Sequence, residues 1–176
     1  QAAAVLRNIS VDRSTGWMIL VLAITLNTLA YFGSIALFPV PAEVAFPLLT
    51  KPFLVFAMLG TTTFLFVIGF FWVGKILEGR GGFETVLLMV GWLQFMRLAV
   101  QLASVVLMLI LPGLSQIFVM ASGLYGLWVV INFIKVAHEF ETLGKAVAVV
   151  VFSALGLTVG LSVFLSLFAA TVIGMT

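Results

Sequence analysis

The chain has 176 residues, of which 64% are hydrophobic and 8% charged, with a mean hydropathy of +1.34. A soluble domain carries about 25% charged residues, so the composition excludes an ordinary water-soluble fold. A formal charge of +2, no dense basic cluster and no cysteine exclude a nucleic-acid surface, disulfides and thiolate chemistry, whether metal-binding or nucleophilic.

The apolar runs exceed the roughly 20 residues that an α-helix needs to cross the hydrocarbon core. Outer-membrane strands are about ten residues with alternating polarity, whereas the predominantly apolar stretch from Phe118 to Val136 shows no such alternation. The expected fold class is all-α: a polytopic bundle of five transmembrane helices. Residues 1–15 form a leader in which Ala2, Val5, Leu6 and Ile9 recur at helical spacing. It reads either as an interfacial helix lying on the inner leaflet or as a short solvated segment. The remainder, 16–176, is the membrane domain, with spans expected at 16–38, 52–74, 84–111, 116–136 and 145–173.

The first span lacks an A-x-A-like cleavage site after it and reads as an anchored helix. Pro39, Pro41 and Pro47 punctuate the first connection, "KILEGRGGFE" is charged and glycine-rich, and Pro112-Gly113 reads as a tight turn. Arg7, Arg13, Lys75, Arg80, Lys135 and Lys145 fall on the N-terminal side of this layout, against Lys51 opposite. Cations near helix ends stay in the cytoplasm. The N-terminus is therefore expected inside and the C-terminus outside.

The third span carries Gln94, Arg97, Gln101 and Ser104, which at 100° per residue lie within an arc of about 80°. A central arginine facing lipid costs about 2.5–3.5 kcal/mol on insertion scales, so this stripe should face the bundle, a wet cavity or an interface. Asn27, Thr61 to Thr63 and Asn132 lie in other spans as candidate neighbours, whereas every acid lies in a loop or at a helix end. The intramembrane polar cluster is accordingly Arg97, Gln94, Gln101, Asn27 and Asn132. Its first reading is a structural hydrogen-bonding hub; the alternatives are a contact to an anionic lipid or protein, and a transport site.

Ser153, Gly156 and Gly160 in the last span form a GxxxG-type stripe, and Ala99/Ala103 and Ser122/Gly126 repeat the small-residue spacing. Small residues permit close helix approach, so these are expected to be packing seams inside the chain, with a homodimer contact as the alternative. Trp17, Tyr31, Trp72 and Trp92 lie near span ends, as interface-seeking rings do. Tyr125 and Trp128 lie deeper and are expected to be packing residues.

His138, in "KVAHEFETLGK", has no second histidine to complete HExxH and no cysteine to complete a zinc shell. It is expected to be solvated in its loop. With no in-span carboxylate pair, GxSxG or P-loop, the expectation is no enzyme, no metal site and no cofactor.

The run "GLYGLWVVINFIKVAHEFETLGKAVAVVVF", Gly123 to Phe152, resembles the Yip1 domain family: a helix with a Trp-containing apolar run, a short polar loop, then a Gly-Lys-Ala start to the last helix. "KILEGRGGFETVLLMVGW", Lys75 to Trp92, resembles the family's glycine-rich loop feeding the third helix. The resemblance spans roughly residues 52–173 and implies a five-helix domain with a cytoplasmic N-terminal region, like the compact bacterial members. Eukaryotic relatives act in vesicle trafficking and contact small GTPases through cytosolic regions that the short leader does not match. The expected function is a non-catalytic protein of a bacterial inner membrane. It would organise lipids, including anionic ones, or join a larger membrane complex as an accessory or scaffold subunit. The alternative is a small transporter or channel subunit with a polar path around Arg97.

Overall fold

A computed structural model describes residues 12–41 and 47–173. It contains five long helices: α1 (Arg13–Leu37), α2 (Pro52–Ile76), α3 (Phe83–Ile110), α4 (Pro112–Ala137) and α5 (Leu143–Ile173), with a 3₁₀ turn at Pro47–Thr50. All five are long and apolar enough to cross a membrane, and no strand occurs among the described residues. The expected leader helix lies outside the described residues.

Each helix boundary has a local cause. Asp12 caps α1, its carboxylate accepting from the Ser14 amide at 3.3 Å, which starts the helix three residues earlier than its apolar pattern does. Proline at 52 opens α2, where its missing N–H costs no helical bond. Pro112 also opens a helix, and this corrects the expected Pro112-Gly113 turn. The preceding Leu111, at φ −143° and ψ 80°, makes the break by itself, while Pro112 and Gly113 form the first turn of α4. The proline ring disfavours helical geometry in the residue before it.

Helices α2 and α4 end alike. Gly79 N–H donates to the Gly74 carbonyl and Glu78 N–H to that of Lys75; Phe140 N–H donates to Lys135 and Glu139 N–H to Val136. Both are Schellman closures, which need a left-handed residue. Glutamates occupy those positions, at φ 65° for Glu78 and 55° for Glu139.

Helix α1 packs against α3, α3 against α4, α4 against α5 and α5 against α2, with α2 also touching α1 and α3. The core is not centred along the bundle. Leu20 and Ile24 of α1, Val67 and Phe70 of α2, Val86 to Val90 of α3, Phe133 and Ile134 of α4, and Ala146 and Val149 of α5 are all buried. In an antiparallel bundle these segments meet at one end, the end carrying the 77–82 and 138–142 loops. Exposed ion pairs rim it, Arg13–Glu84 at 3.2 Å and Lys145–Glu78 at 3.3 Å, each worth at most about 1 kcal/mol. Toward the Lys51 end the helices splay, held by bonds such as Ser115 Oγ donating to the Ser104 carbonyl at 3.1 Å.

Candidate functional site

The polar stripe of α3 lies where the closed end gives way to the splayed end. Its organising residue is Gln94. The Gln94 side-chain amide donates to Thr63 Oγ1 on α2 at 2.9 Å, and the Gln94 carbonyl accepts from Asn27 Nδ2 on α1 at 3.0 Å. Asn27 also donates to the Ala23 carbonyl at 2.8 Å and is 2% exposed, with an Oδ1 that finds no donor among the described residues. Three helices are thus tied through one residue. Burial makes such bonds obligatory, because an unpaired amide in an apolar setting costs a few kcal/mol.

Arg97 is not the hub expected of it. It is exposed on the bundle and makes no hydrogen bond, ion pair or ring contact with any described residue. The physical reason is the lack of acids at this depth, together with the commitment of the Gln94 amide to Thr63. Arg97 stands near the midpoint of the 28-residue α3, about 21 Å along it at 1.5 Å per residue.

Two grooves meet at Arg97. The first, about 790 Å³, runs between α2, α3, α4 and α5, and its walls include Phe66, Leu93, Val100, Val119, Gly126 and Val130. The second, about 630 Å³, lies between α1, α2 and α3 with Val119 of α4 at its edge, nearer the Lys51 end, and its walls include Asn27, Tyr31, Met58, Thr62, Gln101 and Ser104. Arg97, Gln94, Thr63, Phe66, Val100 and Val119 border both. The structure therefore brings Arg97, Gln94, Gln101 and Asn27 to one place. Asn132 stands apart: its amide donates to the Trp128 carbonyl of its own helix at 2.8 Å, and it borders neither groove.

The small residues serve a different purpose from the one their spacing suggests. Ala99, Ser122 and Gly126 border the first groove; they leave space between helices instead of drawing them together. In α5 only Ser153 of the expected stripe packs internally, lying 3.2 Å from where a Cβ on Gly69 would stand. Added Cβ atoms at Gly156 and Gly160 meet nothing within 4 Å. The stripe leaves the bundle as α5 runs into the splayed half. Tyr125 and Trp128 stack on each other at 5.6 Å but are 62% and 56% exposed; they lie on the outer surface instead of in the core.

His138, expected in solvent, is fully buried. Three glycines make room for it. A Cβ on Gly74 would strike the imidazole, and one on Gly79 or Gly81 would approach Nδ1 to 2.7 or 2.8 Å. Phe140 stacks on the ring at 5.4 Å, and the His138 carbonyl accepts from the Arg80 amide at 3.0 Å. Burial lowers the imidazole pKa from its ordinary value of 6.5; the Phe70 carbonyl pulls it upward and the nearby Lys75 charge lowers it further. The Phe70 contact falls short of a formed hydrogen bond, and both ring nitrogens lack a partner. Sequence reading missed this residue because its glycine cradle comes from the last turn of α2 and the loop after it. The signal that could have found it was the pairing of the chain's single histidine with the glycine spacing of "GKILEGRGG".

Among the described residues no group of three or more His, Asp or Glu side chains could hold a metal ion. Comparison with curated proteins and with solved structures finds no match. The family model of the Yip1 domain matches residues 2–170, nearly the entire chain. The two loops that meet at His138 lie within the matched residues, and the chain, an integral membrane protein with five membrane-capable helices, belongs to the Yip1 domain family.

Proposed function

We propose that this protein is a non-catalytic component of a membrane, organising lipids around itself or serving as an accessory subunit of a larger assembly. The observation that carries the reading is Arg97, an uncompensated cation at mid-span, open to the lateral grooves. A charge at that depth is costly and marks a functional contact. Something outside the described chain supplies its counter-charge. The excess of Arg13, Lys75, Arg80, Lys135 and Lys145 at the His138 end, against Lys51 at the other, supports a cytoplasmic His138 end.

Extraction of the full chain into polymer nanodiscs, followed by lipid and protein mass spectrometry, tests the reading. The expected result is a retained lipid or subunit in fixed stoichiometry. A chain that isolates bare, or one whose liposomes conduct a small anion in an Arg97-dependent manner, sinks it, the latter in favour of a transporter.

A further inference from the structure

Resting on the lipid-organising reading, we infer that the two grooves and Arg97 form one bipartite site for an anionic phospholipid. The phosphate contacts the Arg97 guanidinium, the rest of the headgroup occupies the polar second groove, and an acyl chain fills the apolar first groove.

Four observations converge on that occupant. First, the guanidinium has no partner among the described residues and presents a planar fork of donors suited to a phosphate. Second, the groove nearer the Lys51 end is the more polar of the two: its mainly apolar walls, Val55, Met58 and Leu59 among them, are interrupted by Tyr31, Thr62 and Gln101, whose hydroxyl and amide groups suit the hydroxyls and esters of a headgroup region. Third, the other groove is apolar apart from its border with Arg97 and a few hydroxyls, and its volume of about 790 Å³ falls within the roughly 300–1,000 Å³ of small-molecule sites. Fourth, Arg97 borders both grooves, so a molecule held at its guanidinium lies next to each of them. A small anion would leave the apolar groove unused. A neutral lipid would leave Arg97 uncompensated in hydrocarbon. Only an amphiphile with an anionic head uses both.

Position along the helix adds a consequence. Arg97 lies about 21 Å from the start of α3 by helical rise, deeper than a phospholipid head normally sits, so the bound lipid is drawn below the leaflet surface. The polar groove, reaching toward the Lys51 end, supplies the path by which a head descends.

The test is native mass spectrometry on the purified full chain with three probes: phosphatidylglycerol, phosphatidylcholine and glycerol phosphate. Wild type is expected to hold phosphatidylglycerol in preference to phosphatidylcholine, and glycerol phosphate should not displace it. Arg97→Gln should weaken phosphatidylglycerol about tenfold or more, the loss of a charge-assisted contact, and erase the preference. Gly126→Leu is the second variant. An added Cβ there meets nothing within 4 Å, so the chain should fold normally while the leucine fills the first groove and weakens both phospholipids alike.

Equal binding of the two phospholipids to wild type, unchanged phosphatidylglycerol binding in both variants, or full displacement by glycerol phosphate would each overturn the bipartite site. In the second of these cases the lipid-organising reading survives, because lipid is still held elsewhere. A chain that retains no lipid or subunit in nanodiscs removes both.

Discussion

The imidazole of His138 fits its glycine cradle as the neutral form, and that sets a pH dependence. Its pKa is lowered in the folded state, so below about 6.5 the unfolded chain binds a proton that the folded chain resists. The contribution to stability is fully present above that pH and is lost as the pH falls toward the depressed native value. Thermal unfolding in detergent should therefore shift to lower temperature between pH 7.5 and 5, and His138→Gln should flatten the slope even though it lowers stability throughout. A slope unchanged by the substitution would place the titrating group elsewhere. Steric fit makes a second claim at this scale. Gly74→Ala drives a methyl into the ring, and overpacking of this kind costs about 1–3 kcal/mol. Gly156→Ala enters open space and should be neutral or slightly stabilising through helix propensity, by up to about 1 kcal/mol. Equal effects of the two on the unfolding midpoint would refute the cradle.

At the scale of elements, the bundle depends on Gln94 joining α1, α2 and α3. Hydrogen bonds between membrane helices average about 0.6 kcal/mol in double-mutant cycles, with a maximum near 1.7. The Gln94–Thr63 pair should show a coupling in that range when Gln94→Leu and Thr63→Val are combined, measured by denaturant unfolding in mixed micelles. Zero coupling would mean that the two side chains do not meet in the folded protein. The helix ends offer a further check. Glu78 occupies a left-handed position at φ 65°, which costs a non-glycine residue about 1–2 kcal/mol, while its ion pair with Lys145 is exposed and weaker than that. Glu78→Gly should therefore be net stabilising, by about 1 kcal/mol or less. Prolines and the glycine-rich loop marked connections in the sequence, whereas the Asp12 cap, which starts α1 at Arg13, was not read from it. The α3–α4 break differed because the effect of Pro112 falls on Leu111, the residue before it.

For the whole molecule, burial is concentrated toward the His138 end, and the two grooves open around Arg97 near the middle of α3. If all five membrane-capable helices span, as the proposed function has it, the start of α1 and the end of α5 lie on opposite sides. With the basic excess at the closed end, a periplasmic reporter fused after Thr176 should be active and a cytoplasmic one silent; the reverse pattern would invert the orientation. Fold class and the number of membrane-capable helices were legible in the sequence because they depend on length and hydropathy, which are local properties. Helical periodicity, a property of one element, also groups Gln94, Arg97, Gln101 and Ser104 on one stripe of α3. What only the tertiary structure decided was which groups meet. His138 is buried by glycines more than fifty residues away in sequence, Ala99 and Gly126 bound a groove where their spacing suggests a seam, and Gln94 takes the bridging role while Arg97 stays open. Contacts between helices depend on rotation and splay, which no single helix encodes.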